Sequence, residues 1–174
     1  PVPQSNCNVT LMGPKLYEDI VLPFDARQNR FAADRHGVAP RAAIHHCDVP
    51  LDPFVESYAK LPGLASIQAS FTSDVARAKR ELSSCDFSAM ISPRVLNEDL
   101  AAFESSLEKA IAEGTNDLAI WNVDPDTMPD HLRSVLGIID TTCSQYGRQP
   151  KYESMPLCWE EMEWAHVIFA ENSG

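Results

Sequence analysis

From residue 42 onward, short apolar stretches alternate with longer stretches of helical periodicity. Five of the apolar stretches have the length of a strand and are bounded by Pro, Gly or polar residues: 42–46, 65–71, 87–91, 118–123 and 164–170. Between them, apolar residues recur every three or four positions, which is typical of a helix with one face against a sheet. The pattern therefore predicts a strand–helix unit repeated several times.

Capping residues mark the starts of three of these helices. Asn97 precedes the clearest helix, which carries one apolar stripe: Leu100, Phe103, Leu107 and Ile111. Thr72-Ser73-Asp74 can cap a second helix, and Asp52 followed by Pro53 predicts the start of a third. Residues 148–163 show no such pattern and are expected to be irregular, with a short strand or a turn of helix as the alternative.

Repeated strand–helix alternation favours an α/β fold in a single domain, with a largely parallel or mixed sheet of about five strands and helices packed on it. A two-layer α+β sandwich of the ferredoxin-like type is the alternative, because it uses the same elements. We expect the α/β domain to span residues 41–174. Residues 1–40 are expected to form an N-terminal extended arm or extra strands, with short strands at Val9–Met12 and Ile20–Phe24.

The charge balance narrows the range of partners. Lys and Arg number 14 and Asp and Glu 25, giving a formal net charge of −11. Such a chain repels nucleic-acid backbones, so we expect no nucleic-acid binding. No apolar run approaches the ~18 residues of a membrane span, so we expect no membrane insertion. Five scattered cysteines without a Cys-x-x-Cys pair favour a cytoplasmic protein with reduced thiols, secretion being the alternative.

Polar residues at the predicted strand ends are the candidates for a catalytic site. In open parallel sheets, ligands bind outside the carboxyl ends of the strands. His46 and Asp48 follow the first predicted strand and Asp124 follows the fourth, so these three form the predicted catalytic group, with His46 as a general base. Asp124 and Asp126 form a predicted site for a divalent cation. No motif identifies an organic cofactor.

Structural roles compete for the same residues. Successive side chains along a strand point to opposite faces, so His45 and His46 cannot both point into one pocket. One of the two rings is expected to pack beneath a helix. Asp126 stands at a predicted helix start, where a carboxylate is stabilised by the helix dipole without any ligand.

Short motifs do not settle whether the protein is an enzyme. The segment 124–127 resembles the Asp-x-Asp-x-Thr strand end of haloacid-dehalogenase-like phosphatases, but its threonine comes one residue early and it lies late in the chain. Cys158-Trp159 resembles the pair in papain-like proteases, but only His166 follows it. Gly-rich loops of the Rossmann and P-loop types are absent from the sequence, which disfavours the usual nucleotide-binding enzymes.

Two functional hypotheses follow from this sequence. The main hypothesis is a protein-interaction or regulatory module that binds a protein partner or a second copy of itself. It would use an acidic surface and a Trp-rich C-terminal segment containing Trp159, Met162 and Trp164. The alternative is a small α/β hydrolase or transferase with a His/Asp crevice at the C-terminal ends of the strands, assisted by a divalent metal.

Overall fold

The chain folds into two compact units, Pro1–Phe87 and Ser88–Gly174. The computed structural model describes residues 2–46, 49–91, 99–120, 129–156 and 163–171. Strands and helices alternate within each unit. The division into an arm at 1–40 and a domain at 41–174 stays a prediction.

The first unit is built on three parallel strands. Its elements are β1 (Val2–Ser5), α1 (Val9–Leu16), a π-helical turn (Tyr17–Val21), α2 (Leu22–His36), β2 (Ala42–His45), a 3-10 turn (Asp52–Phe54), α3 (Val55–Tyr58), β3 (Leu64–Ser70) and α4 (Val75–Glu81). Strand β2 lies between β1 and β3 and is parallel to both. The carboxyl ends of all three strands therefore lie at one edge of the unit.

The core of the first unit lies on one face of these strands. Ile44 and Ile67 are register partners on β2 and β3, and both side chains are fully buried. Aromatic rings pack over them, including Tyr17 and Tyr58, whose ring centroids are 5.2 Å apart in an edge-to-face arrangement. Burial alternates along β2, so its other face is only partly covered.

The second unit combines parallel and antiparallel strands. Its elements are β4 (Asp86–Ile91, which begins in the first unit), α5 (Leu100–Ala112), β5 (Asp117–Ile120), α6 (Pro129–Gln145), β6 (Arg148–Pro156) and β7 (Glu163–Glu171). Strands β4 and β5 are parallel, and β7 lies between β5 and β6 and is antiparallel to both. Three residues of the predicted apolar stripe of α5 are buried, Phe103, Leu107 and Ile111, and Leu100 is half-buried.

The α/β class with a largely parallel or mixed sheet is confirmed, and each of the five predicted strands is a strand. The ferredoxin-like alternative does not describe the chain, because consecutive strands β1, β2 and β3 are parallel neighbours. The last of the five strands, β7, provides the antiparallel pairing that makes the sheet of the second unit mixed. Because β7 is antiparallel to β5, Glu171 does not lie at the edge formed by the carboxyl ends of β4 and β5.

The first forty residues differ most from the prediction. The runs at Val9–Met12 and Ile20–Phe24 are helical rather than extended, and only β1 is an extra strand. Pro23 indicated a break, but it stands in the first turn of α2, where proline is tolerated. The break at Gly13 is a local kink with φ 75°, after which the helix continues.

The helix starts and strand β6 can also be compared with the prediction from the sequence. Of Thr72, Ser73 and Asp74, which the sequence offers as caps for α4, Asp74 is the cap, and its carboxylate accepts from the Arg77 N–H at 2.7 Å. Asp99, rather than Asn97, caps α5; Asn97 lies outside the described residues. The carboxylate of Asp52 accepts from the Asp74 N–H and so supports α4 instead of its own short turn. Residues 148–156, expected to be irregular, form β6.

Candidate functional site

Backbone hydrogen bonds bring the carboxyl ends of β1, β2 and β3 together. The Asn6 N–H donates to the His45 carbonyl at 2.9 Å, and the His46 N–H donates to the Gln68 carbonyl at 2.9 Å. Because side chains alternate along each strand, the polar residues at these ends divide between the two faces of the sheet. We call Ser5, His45 and Gln68 the outer row. We call Asn6, Tyr17, Asp25, His46 and Tyr58 the inner network.

The outer row crosses three strands at one level. Ser5 is the register partner of His45, and His45 is the register partner of Gln68. Register partners on neighbouring strands point to the same face, with about 4.8 Å between strands. Ser5 is exposed, and His45 and Gln68 are half-buried. A hydroxyl, an imidazole and an amide therefore stand side by side where a molecule from solvent can reach the hydroxyl.

One hydrogen bond fixes the chemistry of the imidazole in the outer row. Nδ1 of His45 lies 2.5 Å from Oε1 of Gln68. A carbonyl oxygen of an amide only accepts, so Nδ1 carries the proton and the lone pair of the neutral ring is on Nε2. At the other end of the row, Oγ of Ser5 lies 3.1 Å from Sγ of Cys7, in the turn that follows β1. The outer row and the turn beside it thus bring together an imidazole and two side chains that can act as nucleophiles, Ser5 and Cys7.

The inner network is centred on a buried carboxyl group. Oδ2 of Asp25 accepts hydrogen bonds from the Tyr17 hydroxyl at 3.1 Å and from Nδ2 of Asn6 at 3.3 Å. Burial raises the pKa of Asp25, although these two hydrogen bonds act in the opposite direction. Burial also raises the pKa of the Tyr17 phenol. The network joins the turn after β1 to the π-helical turn and α2.

His46 belongs to the inner network and is fully buried. Its Nδ1 lies 2.8 Å from the Tyr58 hydroxyl, and its ring centroid lies 5.2 Å from that of Phe54. Burial lowers the pKa of His46 to about 4, against the opposing effect of the Pro50 carbonyl. Nε2 makes no hydrogen bond to any residue that the structure describes. His46 is therefore a weak base beneath the sheet, suited to packing rather than to proton transfer at neutral pH.

The strand ends carry little positive charge. Residues 5–8, 45–46 and 68–74 contain one acidic residue, Asp74, and neither lysine nor arginine. Arg77, in the first turn of α4, is 2.9 Å from the carboxylate of Glu81 and also pairs with Glu56. This edge of the first unit therefore offers hydroxyl, thiol, amide and imidazole groups rather than a cationic clamp.

Most predicted site residues lie outside the described residues: Asp48, Asp124, Asp126, Trp159 and Met162. The catalytic group of His46, Asp48 and Asp124 and the metal pair of Asp124 and Asp126 therefore stay predictions. Trp164 lies in β7. Within the part of the chain that the structure describes, no three His, Cys, Asp or Glu residues are placed to bind a metal ion together. In the same part, no helix combines the length and apolar character needed to cross a bilayer.

The sequence interpretation missed the partners of the two histidines. It identified that His45 and His46 face opposite ways, but it chose His46 for catalysis, and His46 is the buried ring. Ser5, Gln68 and Tyr58 were not singled out. Gln68 could have been noticed as a polar residue flanked by the apolar Ile67 and Ala69 in a predicted strand.

Comparisons with known proteins give limited information. No family model matches the sequence, and no curated protein is significantly similar to it. Among solved structures, a methyltransferase from Pyrococcus furiosus is similar at a TM-score of 0.35 and 10% identity, over 84% of this chain and 83% of that chain. A TehB-like SAM-dependent methyltransferase from Corynebacterium glutamicum is similar at a TM-score of 0.35 and 11% identity, over 86% of this chain and 100% of that chain.

These findings correct the main functional hypothesis. No finding supports the hypothesis of an interaction or regulatory module built on an acidic surface and a Trp-rich segment, and the two similar structures above are named as methyltransferases. The similarity is too low to assign methyl transfer or a cofactor. What this chain does has to be inferred from the geometry of its own residues.

Proposed function

We propose that the protein is a small α/β hydrolase or transferase that works at the outer row. The observation that supports the proposal is the hydrogen bond between Nδ1 of His45 and Oε1 of Gln68, with Ser5 as the neighbouring register partner. A nucleophile beside a base, with the base oriented by a third group, is the recurring arrangement of enzymes that use an activated hydroxyl or thiol. The position at the carboxyl ends of parallel strands agrees with this role.

In this proposal, His45 is the general base. Gln68 keeps the proton on Nδ1, so that Nε2 accepts a proton from the attacking group and later returns it to the leaving group. General acid–base catalysis by one positioned side chain contributes about 10²–10⁴-fold in rate. His46 is unsuited to this step, because its ring is fully buried and its pKa is lowered to about 4.

The proposal is tested by turnover of a panel of carboxylic esters, thioesters and phosphate monoesters by the purified chain. We expect His45→Ala to lower kcat/KM on the best substrate by about 10²–10⁴-fold. The unfolding free energy should change by less than about 0.5 kcal/mol, as for most partly exposed positions. His36→Ala is the matched control, because His36 is exposed at the end of α2, and it should retain full activity.

Two results would contradict the proposal. One is turnover by His45→Ala at the wild-type rate. The other is a wild-type chain that accelerates no compound in the panel above the rate of His45→Ala.

A further inference from the structure

We infer that Ser5 is the nucleophile of a two-step acyl transfer, and that the substrate is an uncharged carboxylic ester or thioester. This inference rests on the proposed function and adds a residue and a substrate class to it. It starts from two observations: Ser5 is exposed and is the register partner of His45, and its Oγ lies 3.1 Å from Sγ of Cys7. A serine hydroxyl is a weak nucleophile unless an adjacent base takes its proton.

The first step forms an acyl-enzyme. The Oγ of Ser5 attacks the carbonyl carbon of the substrate while its proton passes to Nε2 of His45. The C–O or C–S bond to the leaving group breaks, and the leaving alkoxide or thiolate takes the proton from His45. In the second step, water or an acceptor alcohol attacks the carbonyl carbon of the Ser5 ester while its proton passes to Nε2 of His45. The bond between that carbon and Oγ breaks, His45 returns the proton to Oγ of Ser5, and the acid or the new ester is released. No oxidant, reductant or metal is needed for this balance.

The charge distribution supports an uncharged acyl group over a phosphoryl group. Phosphoryl transfer depends on lysine, arginine or metal ions around the transferred oxygens. The ends of β1, β2 and β3 and the turns that follow them contain neither lysine nor arginine. Arg77 is held by Glu81 and Glu56, and Lys15 is held by Asp19 at 2.8 Å. A chain with a net charge of −11 also repels a phosphate as it approaches.

Cys7 lies close enough to Ser5 for a group attached to its sulfur to test whether Ser5 reacts. Because its sulfur lies beside the Ser5 hydroxyl, an alkyl group on Sγ should obstruct the space in front of Oγ. Alkylation of Cys7 with N-ethylmaleimide should therefore block reaction at Ser5. Cys7 is also the rival nucleophile, since a thiolate attacks esters without help from a strong base.

The test uses p-nitrophenyl acetate as the probe, with rapid acid quench, proteolysis and mass spectrometry of the whole chain. We expect acetyl on Ser5, formed roughly 10²-fold faster than on the exposed control residue Ser83, and slowed to a similar extent by His45→Ala. Ser5→Ala should abolish the adduct, and Ser83→Ala should leave it unchanged. Ser5→Cys is the second variant, and it should carry the acetyl group on the new thiol.

The outcomes separate this inference from the proposed function. Acetyl on Cys7 with Ser5 unmodified overturns the assignment of Ser5 but leaves His45 as the base. His45-dependent turnover without any adduct indicates direct attack by water and also overturns it. Preference for phosphate monoesters over carboxylic esters overturns the substrate class. Absence of any His45-dependent turnover overturns both the inference and the proposed function.

Discussion

His45 and His46 are adjacent in the sequence and have opposite surroundings. The His45 ring is half-buried, lies on the outer row and is oriented by an amide; the His46 ring is fully buried and lies on the inner network beside a tyrosine. Identical side chains one residue apart thus differ in burial and access because of the pleat of one strand. A histidine at a strand end therefore indicates a catalytic role only when the face of the sheet on which it lies is known.

The inner network and the outer row are also expected to contribute differently to stability and to activity. The inner network is made of buried groups whose hydrogen bonds connect several elements, so its loss should cost stability. The outer row is partly exposed, so its loss should cost activity and little stability. Variants in the inner network and in the outer row test this difference.

The largest expected effect is the pH dependence caused by His46. Its pKa is 6.5 in an ordinary environment and about 4 in the fold, so the unfolded chain binds the proton first as the pH falls. The contribution of the neutral His46 ring to the free energy of unfolding is therefore fully present above pH 6.5. It is lost as the pH falls from 6.5 to about 4, and the loss amounts to about 3 kcal/mol, because one pKa unit corresponds to about 1.4 kcal/mol. Urea unfolding of the wild type and of His46→Gln across this range should show the decline only in the wild type.

The control for this prediction is His45→Gln, which should keep the decline. Asp25 acts in the opposite direction: its pKa is raised in the fold, so its contribution is present below its ordinary value of 3.8 and is lost as the pH rises through the raised pKa. Asp25→Asn should therefore make the decline between pH 6.5 and 4 steeper. An equal decline in His46→Gln and wild type would show that His46 is not the group responsible.

A smaller effect is expected from removing one hydroxyl of the inner network. Tyr58→Phe keeps the ring but leaves Nδ1 of the buried His46 without its partner at 2.8 Å. An unsatisfied buried polar atom costs about 1–3 kcal/mol, which chemical denaturation can measure. Tyr146→Phe is the matched control, because Tyr146 is 45% exposed and should change stability by less than about 0.5 kcal/mol. Equal effects in the two variants would contradict the role of the Tyr58–His46 contact.

Much of the fold could be predicted from the sequence after residue 42, because strand and helix periods there agree with the final elements. The first forty residues could not, since Gly13, Pro14 and Pro23 indicate breaks in a segment that stays helical around them. The hydrophobic pattern also could not predict the direction of β7. An apolar run has the same period whether it pairs parallel or antiparallel to its neighbour.

The candidate site was predictable only in part. Alternation along a strand predicts that His45 and His46 separate, but it does not tell which face the helices cover. The register between β1 and β2 also could not be predicted from the sequence. Val2–Ser5 has little apolar pattern, so nothing in the sequence placed Ser5 opposite His45.

The smallest expected change in stability tests the outer row at Gln68. Gln68→Leu removes the acceptor for Nδ1 of His45 and should change the unfolding free energy by less than about 1 kcal/mol, since a single hydrogen bond contributes little net. Esterase activity should nevertheless fall by about tenfold, because the proton then divides between the two ring nitrogens and the ring loses its orientation. Gln68→Glu should restore much of the activity, since a carboxylate also accepts from Nδ1. If Gln68→Leu and Gln68→Glu lose activity equally, the amide packs beside the ring without orienting it, and the contrast between the two faces then depends on His45 alone.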